Sequence, residues 1–248
     1  VYYTGTVEDW CNISFSNSYS TPMYYADNFY MLDENNEYYL VTEIVIPETV
    51  TLIGDYQFYG FENVTSIIIP DSITSIGKNV FYNCASLKYN QYDNAYYLGN
   101  NKTPYLVLMK AISQDINSCE INENTRFIIE DAFYRCSFLK EVYYTGTVED
   151  WCNISFSNSY STPMYYADNF YMLDENNEYY LVTEIVIPET VTLIGDYQFY
   201  GFEKITSIEI PSSVTYIGDS AFAGCKSLTN VYYTGTVEDW CNISFSNS

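Results

Sequence analysis

Residues 65–87 read TSIIIPDSITSIGKNVFYNCASL, and the preceding residues 42–64, TEIVIPETVTLIGDYQFYGFENV, repeat the pattern at an offset of 23 residues. The shared frame is x-x-I-x-I-P-x-x-[VI]-x-x-I-G-x-x-x-F-x-x-[CF]-x-x-[LV]. Alternation at its head is that of a short strand, with Ile67 and Ile69 predicted inward and Ser66 and Ile68 outward. Pro70 ends the strand, because proline cannot donate to a ladder. Ile73 and Ile76 form a second apolar pair before a turn at Gly77. Phe81 and Cys84 follow at helical or 3₁₀ spacing, and Leu87 closes the layer. One such coil is too small to bury its own apolar face, so the frame predicts coils stacked on coils.

The frame recurs at 121–140 (INENTRFIIEDAFYRCSFLK) and 210–228 (IPSSVTYIGDSAFAGCKSL). A younger duplication overlies it. Residues 1–62 recur unchanged at 142–203, and a partial third copy fills 231–248. Equivalent strand residues Val1, Ile44, Ile67, Cys119, Val142, Ile185, Ile208 and Val231 are spaced 43, 23, 52, 23, 43, 23 and 23 apart. The longer steps read as one coil plus an inserted excursion. Residues 95–111, and 29–41 with their copy 170–182, carry hairpin signals. Between strand and hairpin, Thr6 is a plausible helix N-cap, with Glu8 and Asp9 suited to a helix N-terminus. The organisation expected is one α/β leucine-rich-repeat solenoid segment over 1–248, with one short parallel-sheet strand per coil and inserted β-hairpins and short helices. A chain that begins and ends inside a repeated motif is expected to be a fragment of a longer protein.

Composition narrows the chemistry. Thirty-two acidic residues against 9 basic ones give a net charge of −23, which repels phosphate backbones and anionic lipid. Nucleic acid is therefore not an expected partner, and apolar runs such as Tyr105 to Met109 are too short for membrane insertion. There is no histidine, so Ser-His-Asp and Cys-His arrangements cannot be assembled from this chain. No phosphate-binding glycine motif occurs. Among 32 acids, carboxylate pairs at glycosidase spacing arise by chance and carry no weight. No enzyme activity, metal or cofactor is expected.

Seven cysteines without a close C-x-x-C pair are expected to be free thiols. Cys84, Cys136 and Cys225 share one frame position and are expected to pack coil on coil, as small hydrophobes do; Cys11, Cys152 and Cys241 follow tryptophan in the copies. The turns Asp33 to Glu37 and Asp174 to Glu178 read as solvated hairpin turns, with calcium binding the alternative. Asn12, Asn63, Asn101, Asn153 and Asn242 head N-x-[ST] strings, which matter only if the source glycosylates secreted proteins.

The repeat resembles the BspA-type leucine-rich-repeat family over essentially the whole chain, including the GTVEDW and YDNAYYLG segments. Gln57 and Gln198 stand where that family usually has alanine, and Phe61 and Phe202 where it has cysteine, which leaves local packing open at those positions. The resemblance implies a secreted or cell-surface protein that mediates adhesion, with a protein or glycan as partner. The outward strand positions are the expected recognition strip: Glu43, Val45, Ser66, Ile68, Ser118, Glu120, Glu141, Tyr143, Glu184, Val186, Ser207, Glu209, Asn230 and Tyr232. Being acidic and dotted with tyrosine, that strip suits a basic or hydroxyl-rich partner. The other reading is a structural spacer or self-associating fibre subunit with no ligand of its own. Asp71, in the turn after a strand, is expected to be replaceable at little cost.

Overall fold

The structure is a computed structural model and describes residues 1–246. Two compact units are present, one made of Val1–Asn90 with Tyr97–Leu106, the other of Gln91–Tyr96 with Val107–Ser248.

In the first unit, strand Glu43–Val45 pairs in parallel with Ser66–Ile68, matching Ile44 to Ile67. A second parallel pair, Leu52–Ile53 with Ser75–Ile76, stacks the next side of the same coils. Both pairings hold the offset of the repeat. In the second unit the same scheme runs through Glu184–Val186, Ser207–Ile210 and Asn230–Tyr233, and separately through Ser118–Ile121 and Glu141–Tyr144. Side chains at the inward positions are buried as the alternation requires: Ile44, Ile67, Cys119, Val142, Ile185 and Ile208 are each at most 4% exposed. Val231 departs from the rule at 52% exposed.

Threonines at the coil corners bind one coil to the next. The Thr65 N–H donates to the Thr42 carbonyl at 2.7 Å and its hydroxyl donates to the same oxygen at 3.1 Å. Thr206 does the same to Thr183, and Thr74 to Thr51. A carbonyl has two lone pairs, so one threonine satisfies both.

The segments expected to be excursions are partly built into the stack. Asn169–Leu173 pairs in parallel with Glu141–Tyr144, placing Phe170 against Val142, and then turns back antiparallel as Tyr179–Leu181. Ser155–Phe156 pairs in parallel with Phe127–Ile128. Residues 142–169 are therefore a longer coil with its own strand, and only the return strand is an addition. Its helix, Val148–Cys152, is capped by Thr147, whose hydroxyl accepts from the Asp150 N–H while the Asp150 carboxylate accepts from the Thr147 N–H. The helix Val7–Cys11 has the same capping box through Thr6 and Asp9.

The unusual residues Gln57 and Phe61 are explained by what this helix delivers. The Trp10 indole sits in a nest of rings, 4.7 Å from Phe29, 5.2 Å from Tyr3 and 5.7 Å from Phe61. Its N–H donates to the Gln57 carbonyl at 2.9 Å, and the Gln57 side-chain amide donates back to the Trp10 carbonyl. Alanine could not supply the return bond from the Gln57 amide, nor cysteine the ring that Phe61 adds to the nest. Gly60, at φ +78°, lies so close to the Met23 carbonyl that a Cβ would approach it to 2.4 Å.

The thiols of the described residues are all free. Cys84 is buried and its thiol donates to the Phe58 carbonyl at 3.1 Å, while Cys225 at the same frame position is only half-buried and Cys241 is exposed.

Candidate functional site

Every one of the expected strip residues has solvent access. Glu43, Val45, Glu184, Val186 and Tyr232 are exposed, whereas Ser66, Ile68, Glu120, Glu141, Tyr143 and Glu209 are half-buried. Ladder register sets them side by side. Glu43 lies against Ser66 and Val45 against Ile68 in the first unit. In the second, Glu120 lies against Tyr143 and Tyr143 against Tyr171, while Val186, Glu209 and Tyr232 form another row.

The densest cluster lies in the second unit. Tyr143 stacks on Tyr171 with ring centroids 4.8 Å apart and planes 14° from parallel, a direct result of their facing positions on adjacent strands. Tyr179, on the return strand, meets Tyr143 edge-on at 4.9 Å. The hydroxyls are committed to carboxylates. Tyr143 donates to Glu141 at 3.0 Å, Tyr179 donates to Glu120 at 2.8 Å, and Tyr92 also donates to Glu120. The Asp93 carboxylate accepts the Glu120 N–H at 2.7 Å.

These contacts set the protonation states. Burial, then the Glu120 carboxylate, pushes the Tyr92 phenol up to about 12, and the same two causes raise Tyr179. Tyr143 is raised by burial and by Glu141. The phenols, protonated at neutral pH even at their ordinary value, donate to the carboxylates. The result is a ring-and-carboxylate platform.

The first unit repeats the ring part of it: Tyr2 stacks on Tyr30 at 4.7 Å and 10°, and Tyr38 meets Tyr2 edge-on at 4.9 Å. Of these platform residues, the sequence pattern singled out Tyr143, Glu120 and Glu141. Tyr171, Tyr179, Tyr30 and Tyr38 were missed because their segments read as hairpins outside the ladder, while Tyr2, on a strand, and Tyr92, before the hairpin at 95–111, were not placed on the strip. The alternation of Asn169–Leu173 carried the signal, since Phe170 and Met172 are buried and Tyr171 between them is not.

A second tyrosine row went unnoticed as well. Tyr24, Tyr59 and Tyr82 stack in sequence at 5.9 Å and 5.4 Å. Its mark is a tyrosine directly after the buried phenylalanine of a coil, as in Phe58-Tyr59, Phe81-Tyr82, Phe133-Tyr134 and Phe199-Tyr200.

The Asp33 to Glu37 turn is closed by its own aspartate, whose carboxylate accepts the N–H groups of Asn35 at 2.8 Å and Glu37 at 2.9 Å. Those bonds, Glu37's first, lower the Asp33 pKa. Asp174 makes the same turn with Asn176 and Glu178. In both turns the aspartate carboxylate is engaged in closing the turn.

Parallel strands recurring at the coil period, with outward side chains ordered into rows, define a leucine-rich-repeat protein. The chain belongs to the BspA type leucine rich repeat region family, which it matches in six copies over residues 35–163, 109–180 and 175–248. Among solved structures it is similar to a leucine rich cell surface protein from Faecalibacterium prausnitzii A2-165, at 25% identity and TM-score 0.40, covering 83% of this chain and 63% of that one. It is also similar to a leucine-rich repeat protein from Eubacterium ventriosum ATCC 27560, at 17% identity and TM-score 0.33, covering 89% of this chain and 64% of that one. A third similar structure is the pneumococcal vaccine antigen PcpA, at 13% identity and TM-score 0.36, with 83% and 66% covered. The chain thus spans less than two thirds of the first two. No curated protein matches it. Among the described residues no helix is long and apolar enough to cross a membrane.

Proposed function

We propose that this chain is part of a secreted or cell-surface solenoid that binds a protein or glycan through its outward strand face, and that it is a binding module rather than a catalyst. The observation that carries the reading is the tyrosine and carboxylate platform around Tyr143. Aromatic rings offer large contact area at small entropic cost, and tyrosine is enriched where a surface must bind. The ring geometry is built twice, at Tyr143 with Tyr171 and at Tyr2 with Tyr30. Tyr232 stands at the same position of the partial third copy. Repetition suits multivalent capture, in which each added contact acts at high effective concentration. The net charge of −23 favours a partner with a basic or hydroxyl-rich surface.

The test is a binding panel of host extracellular-matrix proteins and glycans, run on the chain and on the triple variant Tyr2→Ala, Tyr143→Ala, Tyr232→Ala. Circular dichroism verifies that the variant is folded. Capture of one panel member that the triple variant loses supports the reading. Capture that survives all three substitutions, or concentration-dependent assembly of the chain with no capture at all, overturns it.

A further inference from the structure

The first unit contains a cleft of about 420 Å³ that the tyrosine platform does not use. One wall is the outward face of the two paired strands, through Glu43, Ser66 and Ile68; the other is the loop Gly99–Pro104; Lys88 and Asn90 contribute between them. Its size falls within the roughly 300–1,000 Å³ of small-molecule sites.

The loop is fastened over the strand. The Ile69 N–H donates to the Gly99 carbonyl at 3.1 Å, extending the strand face by one bridge at Ile68. The Asp71 carboxylate accepts from the Asn100 amide at 2.9 Å, from Lys102 at 3.3 Å and from the Thr103 hydroxyl. The Asn100 side-chain oxygen in turn accepts the N–H groups of Lys102 and Thr103, each at 2.9 Å. Asn90 donates to the Pro104 carbonyl at 3.0 Å and ties the far end. Gly99 is required, since a Cβ there would meet the Thr103 carbonyl at 2.0 Å. Asp71 is thus an anchor, contrary to the expectation that it is a replaceable turn residue. Its pKa is lowered by Thr103 first and Asn100 next.

Polar side chains around the cleft divide into two sets. Asn100, Thr103 and Asp71 are consumed in fastening the loop. Glu43, Ser66, Lys88 and Asn101 line the cleft and make no side-chain hydrogen bond or ion pair among the described residues. Together they offer a carboxylate acceptor, a hydroxyl, an ammonium donor and an amide that both donates and accepts.

We infer that this cleft is a carbohydrate site, taking a short neutral oligosaccharide whose hydroxyls are met by Glu43, Ser66, Lys88 and Asn101. Sugar hydroxyls donate and accept at once, which is what this mixed set answers. One lysine in a chain of net charge −23 is a poor cradle for phosphate or other polyanions. A hydrocarbon ligand would strand the four polar groups without partners. The fastened loop means that little ordering accompanies binding.

The duplication supplies an internal control. Glu184 and Ser207 repeat Glu43 and Ser66 in the same register, but the next segment there is the regular strand Asn230–Tyr233, in place of a fastened loop.

The experiment is saturation-transfer NMR and calorimetry with four neutral disaccharides: cellobiose, lactose, maltose and chitobiose. Expected is saturable 1:1 binding of at least one, weakened roughly tenfold by Ser66→Ala and by Asn101→Ala, the cost of one hydrogen bond of about 1.4 kcal/mol. Ser207→Ala should leave it unchanged. Thr103→Val, which loosens the loop without touching the cleft lining, should also weaken it. Absence of saturable binding at millimolar sugar overturns the inference, as does binding insensitive to Ser66→Ala and Asn101→Ala. Displacement of the sugar by a zwitterionic dipeptide with higher affinity overturns the ligand class. The triple tyrosine variant should bind the disaccharide normally, so failure here and failure of the platform reading are told apart.

Discussion

Trp151 and Gln198 clasp each other across 47 residues: the indole N–H donates to the Gln198 carbonyl at 2.8 Å, and the Gln198 amide donates to the Trp151 carbonyl. Both residues are at most 1% exposed. Gln198→Ala removes the amide bond to the Trp151 carbonyl, which keeps the Ile154 N–H at 3.0 Å, and opens a gap beneath Trp151. Urea denaturation should show a loss of about 1–3 kcal/mol, from the lost hydrogen bond and the gap the side chain leaves. An unchanged midpoint would mean that the clasp is ornamental.

Phe81 and Asp71 belong to one coil and should respond to different measurements. Phe81 is 6% exposed and stacks on Phe58, so Phe81→Ala should cost about 3–5 kcal/mol on denaturation. Asp71→Asn should act locally. Hydrogen exchange over residues 99–104 should quicken while exchange at Ile44 and Ile67 stays slow, because the substitution loosens a loop and leaves the core packed.

Thiol chemistry should follow burial. Alkylation of the native chain should label Cys241 first and Cys225 more slowly, with Cys11, Cys84, Cys119, Cys136 and Cys152 appearing only on unfolding. Burial pushes the Cys84 and Cys152 thiols from about 9 up to about 12. Above pH 9 the unfolded chain releases these protons and the folded chain keeps them, so stability falls as pH rises. The window runs from about pH 9 to about 12, and each of the two thiols contributes a slope of about 1.4 kcal/mol per pH unit. A flat alkaline limb between pH 9 and 11 in thermal melts would contradict the burial of these groups.

Glu120→Gln removes the charge that Tyr92 and Tyr179 face. The Tyr92 titration, followed by NMR of ring-labelled tyrosine, should move down from about 12 toward the ordinary value of 10, though not all the way, since burial is the larger cause. A midpoint that does not move would show that the hydroxyl–carboxylate contact is absent in solution.

What the sequence made legible follows from periodicity. Ile44, Ile67 and Ile185 each follow a polar residue at the head of a regular coil, so their burial and the outward turn of Glu43 and Glu184 could be read directly. Asn169–Leu173 alternates just as well, but its distance from the previous strand is 28 residues instead of 23, and it leads into a tight Asp174 turn. Spacing and turn chemistry together made it look like a free hairpin. The fastening of the Gly99–Pro104 loop was illegible for another reason. Asp71 and Thr103 are 32 residues apart, and no periodic signal links an isolated aspartate to an isolated threonine.

The identical blocks 1–62 and 142–203 build the same clasp, capped helix and paired rings, each inside a separate unit. Where identity stops, Asn63 gives way to Lys204 and the next strand still pairs isoleucine to isoleucine. Unequal recombination between such blocks would add or remove a 141-residue length and leave every coil with a matching neighbour. Block number is then a heritable quantity that can change without a new fold having to evolve.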